Sequence, residues 1–384
     1  MTPAVGSHGG EPGGSEPGGS EPDPAPGSAG SSDGPFGVVP GDDPLAGRPG
    51  GRSRRPVLVL GEALIDLVPR TAAGERSTIA MDAIPGGSPA NVAVGLARLE
   101  IPVAFAGRFA SHGLGPWRRD LLAREGVDLS PSVTATEPTT LALVSLDAQH
   151  AAAYDFYGPH TADWHWRPAE LPPPKAVRAA AVHTGSLATV FPPGAELLAA
   201  WTAAIRARGD VLVCYDPNVR RGIVADLIQY RQLTADSVRH AHLVKASEED
   251  LAMLSPGVTA AAAAKEWLAR PDGPLLIVVT RGSGGCLALH RDGRRIERPA
   301  ASTRVVDTVG AGDAFTAGFL AHLWTADALT PAALADVTDA MLAAALDQAS
   351  LVAALTCARA GADPPHAAEL RDAGRIAPVR RRGR

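Results

Sequence analysis

Aromatic residues are scarce, 4% of the chain, and cysteine is scarcer, with three in 384 residues. Cys214, Cys286 and Cys357 stand far apart in apolar surroundings. An odd number so widely spaced argues against a disulfide framework and for a reducing compartment, the cytoplasm. A surplus of basic charge is also lacking. Lys and Arg number 36 against 41 Asp and Glu, a net charge of −5, which gives no reason to expect nucleic acid or a membrane as partner. No basic segment followed by an apolar one opens the chain, so no signal peptide is apparent. Asp347 interrupts the Ala-rich stretch 341–357, so no charge-free run is long enough to cross a bilayer. The P-loop pattern GxxxxGK[ST] and the D-F-G triplet of protein kinases are absent.

Apolar residues make up 45% of the chain, ample for a core. Many of them are Ala, so helices should pack closely. The length allows one large α/β domain or two smaller ones. Residues 1–53 are Gly, Pro, Ser and acids, with a GGSEP repeat between Gly13 and Pro22, and turn basic at Arg52, Arg54 and Arg55. Such a segment cannot bury enough apolar surface to offset its ordering entropy, and reads as a disordered arm. Residues 366–384 form a basic tail ending in Arg384. A solvated end explains it better than a nucleic-acid contact.

Between these ends, 54–365 reads as one domain. Apolar β-branched runs at 57–60, 180–185, 211–215 and 275–279 alternate with helical patterns. That alternation implies a parallel sheet with helices on both faces. The segments 66–85 and 139–157 alternate without helical period and read as a small second sheet.

The stretch 307–315, Asp-Thr-Val-Gly-Ala-Gly-Asp-Ala-Phe, carries the most chemistry. A β-like run, 303–306, precedes it and an apolar helical pattern follows. Gly310 and Gly312 let the backbone turn sharply and approach a ligand. The first amides of the following helix have no internal partners and point at the positive end of its dipole, which makes an anion hole. Asp313 beside that hole suits a proton acceptor for a hydroxyl attacking phosphorus. The plainer alternative is an acidic helix N-terminus.

This stretch resembles the C-terminal signature of the ribokinase-like, or PfkB, carbohydrate kinases. The resemblance implies that Asp313 is the catalytic base and that the amides of Gly310, Ala311 and Gly312 hold the transferred phosphoryl group. It implies a three-layer α/β/α fold with a mostly parallel sheet and a β-sheet lid. It also implies ATP and Mg²⁺, with K⁺ a candidate beside Asp307.

Other elements recur in the family's order. Gly86-Gly87-Ser88-Pro89-Ala90-Asn91 leads into a helical pattern. Asp66 follows the first strand, where a carboxylate contacts ligand or caps a turn. By resemblance Asp66, Gly86, Gly87 and Asn91 contact the sugar, and Asp155, Phe156 and Tyr157 lie on the lid's inner edge. Asp216-Pro217-Asn218-Val219-Arg220 matches an element of the fructokinase-like branch. Asn218 and Arg220 would lie near the phosphates, or Arg220 in a structural ion pair. Ser247 and Asp250 stand where the family has its N-x-x-E element affecting Mg²⁺ and phosphate, and they also fit a capping box. Thr280, Gly282 and the loop 360–363 with Gly361 would border the nucleotide. Two departures concern the sugar: Gly158 stands where fructokinases tend to have Arg, and Ser111-His112 where acids are usual. The resemblance covers about 56–365 and implies an ATP-dependent sugar kinase, fructokinase-like. The alternatives are a 2-keto-3-deoxygluconate, other ketose or nucleoside kinase, or a non-catalytic sugar- or nucleotide-binding pseudokinase. The family's lids often form homodimers, so the lid is where a dimer is expected.

Overall fold

Strand β1 (Val57–Leu60) is apolar and buried at every position. Its period-2 geometry sends Val57 and Val59 into one core and Leu58 and Leu60 into another. A strand that buries both faces belongs inside a sheet covered on both sides. The computed structural model describes residues 55–70, 78–146, 152–220, 223 and 226–375. The 1–53 arm, Arg54, the Arg384 end, and 71–77 and 147–151 within the lid segments lie outside the described residues. All described residues belong to the compact unit that begins at Arg54.

Along the first half of that unit run β2 (Ile65–Pro69), β3 (Met81–Pro85), α1 (Ser88–Arg98), β4 (Val103–Ala106), β5 (Arg108–Ala110) and α2 (Leu114–Arg124). Then come β6 (Val133–Ala135), β7 (Leu141–Leu146), β8 (Ala152–Tyr157), β9 (Ala181–Gly185), α3 (Gly194–Arg208) and β10 (Leu212–Asp216). The second half holds α4 (Leu227–Arg239), β11 (Leu243–Ser247), α5 (Glu248–Leu254), α6 (Ala260–Ala269), β12 (Leu276–Thr280), β13 (Cys286–His290) and β14 (Arg295–Arg298). It closes with α7 (Ala311–Thr325), α8 (Pro331–Ala335), α9 (Asp339–Cys357) and α10 (Ala367–Arg375).

Among the described residues an eight-stranded sheet runs β14-β13-β12-β11-β10-β9-β1-β4. It is parallel except at β12–β13 and β13–β14. The turn between those last strands contains His290-Arg291-Asp292, which spells the protein-kinase H-R-D. Here Asp292 caps the turn, its Oδ1 accepting Arg294 N–H at 3.0 Å and its Oδ2 pairing with Arg294 Nε at 2.6 Å. A second sheet, β3-β2-β7-β8, forms the expected lid. The layers are those expected, α/β/α with a β-sheet lid.

One face of the main sheet carries α1, α7 and α9. Small residues let them close in: a Cβ on Gly95 would stand 2.6 Å from Ala317 Cβ, and one on Gly318 3.0 Å from Ala349 Cα. The other face carries α3 and α6, whose Trp201 and Trp267 fill the second core. Helix α9 has the length and apolarity of a membrane span. It is a core helix, with Leu342, Leu346, Ala349 and Val352 buried, and its Asp347 pairs with Arg298 at 2.6 Å.

Two expectations change. Residues 303–306 form no strand: Val305 and Val306 are exposed, and Val306 N–H donates to Cys357 O at 2.8 Å. A β-branched run reads as a strand, but here the end of this one bonds to the last carbonyl of α9, not to a neighbouring strand. Helix α10 carries folded chain beyond 365, with Leu370 packed on the first core and Glu369 paired with Arg359.

Candidate active site

Most of the expected residues converge on one cleft of about 1310 Å³ along the C-terminal ends of the parallel strands. That is where an open α/β sheet collects ligands, and the volume exceeds the range for a single drug-sized ligand.

The N-terminus of α7 forms its floor. Gly310 caps the helix at φ 73°, and a Cβ there would meet Ala362 Cα at 2.8 Å. Asp313 falls in the first turn, buried but lining the cleft. Ser88 Oγ donates to its Oδ1 at 2.6 Å and Asn91 Nδ2 to its Oδ2 at 2.9 Å. The close crossing of α1 and α7 brings these groups together. The Ala311 amide donates to Thr308 O at 3.2 Å, so it serves the turn rather than an open anion hole. A feature absent from the sequence reading compensates. A Cβ on Gly312 would stand 3.0 Å from Lys245 Nζ, so a buried ammonium faces the glycine turn.

Lys245 is held by Asp216, Nζ to Oδ2, at 2.9 Å. Burial pushes the Asp216 carboxyl up to about 6, against the pull of Lys245. Burial also works against the ammonium, but Asp216, Asp250 and Asp313 together hold Lys245 above the usual lysine value. At neutral pH both groups are charged. A lysine inside the apolar run of β11 was the available signal.

At the sugar end, Gly86 and Gly87 lie against the loop after β1. A Cβ on Gly86 would touch Asp66 Oδ2 at 2.8 Å, and one on Gly87, at φ 97°, would meet Glu62 O at 2.5 Å. Burial raises Asp66 to about 6, opposed by the charges of Arg220 and Arg118. Arg118 was not anticipated. It is buried in α2, donates to Gly86 O at 3.0 Å, and stays cationic with its pKa lowered by burial to about 10. Asp163, also missed, accepts Ala63 N–H at 2.8 Å.

The lid expectation needs correction. Asp155 and Tyr157 are exposed and absent from the cleft lining, and only Phe156 faces inward. Register explains it: Phe156 pairs with the cleft-lining Ala142, and its neighbours in β8 point to the opposite face. Phe156 packs on Phe191 and Trp164 with centroids 5.5 and 6.0 Å away.

Asn218, Arg220, Ser247, Thr280 and Gly282 all line the cleft. Arg220 is exposed there, and its charge acts on Asp66. Asp250 takes the capping role. Its Oδ2 accepts Ser247 N–H at 2.8 Å, its Oδ1 accepts Val219 N–H at 2.7 Å, and its N–H donates to Ser247 Oγ at 3.0 Å. Both oxygens have backbone donors, so capping is the role the geometry gives Asp250. Glu249, exposed in the lining, is the carboxylate with reach. Asp307 and Gly361 do not line the cleft. Asp307 accepts Val309 N–H at 3.0 Å and Gly361 N–H at 2.7 Å, and these donors outweigh burial to hold its carboxyl below the usual range. Ala362 lines the cleft in place of Gly361, beside the exposed Val305 and Val309.

Comparison with known proteins gives the family and the fold. Residues 54–368 match the model of the pfkB family carbohydrate kinases. A fructokinase from Klebsiella pneumoniae is 35% identical over 268 residues, covering 70% of this chain and 84% of the relative. The crystal structure of a Xylella fastidiosa fructokinase with bound ATP aligns with a TM-score of 0.74 and 28% identity, covering 82% of this chain and 97% of its own. A Vibrio cholerae fructokinase double mutant, solved in fructose, ADP and potassium ion bound form, aligns with a TM-score of 0.71 and 26% identity, covering 84% and 99%.

Proposed function

This chain belongs to the pfkB family of carbohydrate kinases and is an ATP-dependent, fructokinase-like sugar kinase; we propose that Asp313 is its base and fructose its acceptor. One observation carries the proposal: a buried carboxylate, aimed by Ser88 and Asn91, lines the cleft at the helix N-terminus that Lys245 faces.

A sugar seated against Asp66, Gly86, Gly87 and Asn91 presents a hydroxymethyl group to Asp313. The hydroxyl proton passes to an Asp313 oxygen as the alcohol oxygen attacks the γ-phosphorus in line. The bond from γ-phosphorus to the β–γ bridging oxygen breaks, ADP leaves, and the proton is later released to solvent. Charge on the phosphoryl oxygens faces the Gly310 and Gly312 amides and the Lys245 ammonium, fixed donors that need no reorganisation. Val305 and Val309 offer apolar surface to the base of the nucleotide. The lid, through Phe156, excludes water that competes as acceptor.

Mg²⁺, when it arrives with ATP, neutralises phosphate charge. Among the described residues no group of three or more His, Cys, Asp or Glu stands ready for a metal. Glu249, exposed in the cleft lining, is the residue that would hold the ion through its water. Asp307 stays a candidate neighbour of K⁺, supported by the potassium ion of the Vibrio cholerae structure. Ile79, Met81 and Tyr157 expose apolar surface on the lid side, which supports a homodimer there.

ADP release measured over a panel of sugars tests the reading. Fructose should give the highest kcat/KM. Preference for a sugar acid or a nucleoside would remove the substrate assignment, and no sugar-dependent ADP would remove the base.

A further inference from the structure

Glu62 has no part in the chemistry above, yet its carboxyl lines the cleft at 1% exposure. A carboxylate so buried is costly unless hydrogen-bonded. Its Oε2 accepts Ala188 N–H at 3.1 Å, an amide of the short turn Ser186–Thr189 that also carries the Ser186 hydroxyl. Burial still drives the group up to about 7, against the Ala188 donor and with Asp163 adding to the rise.

The bonds continue. Asn218 Nδ2 donates to Ser186 Oγ at 3.2 Å. Asn218 N–H donates to Asp216 Oδ1 at 3.1 Å, and Asp216 Oδ2 holds Lys245 at 2.9 Å. Lys245 faces Gly312. Glu62, Ser186, Asn218 and Lys245 follow β1, β9, β10 or lie in β11, four neighbouring strands of the main sheet. One end of this line is built into the sugar side, since Glu62 O backs Gly87. The other end is the phosphoryl cradle.

The two middle residues are strained. Ser186 has φ 56° and Asn218 has φ 38°, both left-handed without being glycine. Such conformations persist only where surrounding bonds enforce them, and they cluster at functional sites. Here the enforcing bonds are the relay itself.

We propose that Glu62 is a positioning residue: through Ser186 and Asn218 it sets the Asp216–Lys245 pair against the transferred phosphoryl group. The proposal rests on the reading of Asp313 and 310–312 as the transfer site. As an acceptor, Glu62 holds the Ala188 amide and with it the turn that carries Ser186, whose Oγ accepts from Asn218.

The test uses the full chain and steady-state kinetics with fructose and ATP. Glu62→Gln keeps shape and weakens the acceptor that holds the Ala188 amide. Ser186→Gly keeps the backbone, because glycine accepts φ 56° freely, and removes only the hydroxyl. Each should lower kcat about tenfold, the worth of a hydrogen bond to a charged group, and raise the KM for ATP. The KM for fructose should stay within about twofold, because the sugar contacts remain. The double variant should be no worse than the poorer single one. Wild-type kcat in Ser186→Gly, or a loss confined to the fructose KM, overturns the relay, and Ser186→Gly decides the matter where Glu62→Gln does not fold. Asp313→Asn is run alongside. Turnover lost there but intact in the relay variants removes the relay and leaves the kinase reading standing, whereas an inactive wild type removes both.

Discussion

Asn91 Nδ2 lies 2.9 Å from Asp313 Oδ2, although 222 positions separate them in the chain. Both residues sit in the first turn of a helix that follows glycine, and the two helices cross closely enough to merge their N-termini. The groups expected to bind sugar and the group expected to take its proton therefore form one unit. A sugar hydroxyl that binds Asn91 is already beside the base.

The two cradle glycines should respond differently to alanine. At Gly310 a Cβ meets Ala362 backbone at 2.8 Å in a left-handed conformation, so Gly310→Ala should destabilise the fold by about 1–3 kcal/mol and lower kcat. At Gly312 the obstacle is the end of a side chain, the Lys245 ammonium at 3.0 Å, rather than backbone. Gly312→Ala should keep or gain stability, up to about 1 kcal/mol from helix propensity, while kcat still falls. Thermal melting beside steady-state kinetics checks the contrast.

Burial raises Asp66 to about 6, against Arg220 and Arg118. Its ionised form accepts two or more hydroxyl bonds, so the fructose KM should rise as pH falls through 6. Arg220→Met removes the larger opposing charge and should move that rise to higher pH. The same shift makes folding less favourable as pH climbs from about 4 to 6, because the unfolded chain releases this proton first.

Lys245→Met would leave Asp216 at 1% exposure without its cation. The cost should be about 3–5 kcal/mol in denaturant titration, with kcat strongly reduced. Adding Asp216→Asn should restore much of the stability and none of the kcat. Recovery of both would make the pair structural only.

Asp250 and Glu249 separate capping from metal binding. Asp250→Ala removes the acceptor for Ser247 and Val219 amides and should cost about 1–2 kcal/mol of stability. Glu249→Gln should leave stability unchanged and raise the Mg²⁺ needed for half-maximal rate. A Mg²⁺ titration of both variants checks this.

Much of this arrangement was legible in the residues. Apolar runs marked the buried strands, and the glycine turns at 86–87 and 310–312 marked the two approaches to ligand. What the chain does not spell out is which face a side chain takes. Asp155, Phe156 and Tyr157 looked alike as lid residues, and only the pairing of Phe156 with Ala142 decides that the ring points in. The spacing of Ser247 and Asp250 shows a capping box, but not that the second Asp250 oxygen also takes Val219 N–H, a residue 31 positions away. Arg118 sits in a charged helix with no local mark of burial, because its partners Gly86, Asp66 and Asp163 are distant in sequence. The run 303–306 misled because β propensity cannot report whether a strand edge is free to pair.

The most direct measurement is kcat for Asp313→Asn with saturating fructose and ATP. Loss of a general base should lower it by about a hundred- to ten-thousand-fold, with the melting temperature and ATP binding near wild type. Turnover within a few-fold of wild type would contradict the assignment of Asp313 as the group that takes the sugar's proton.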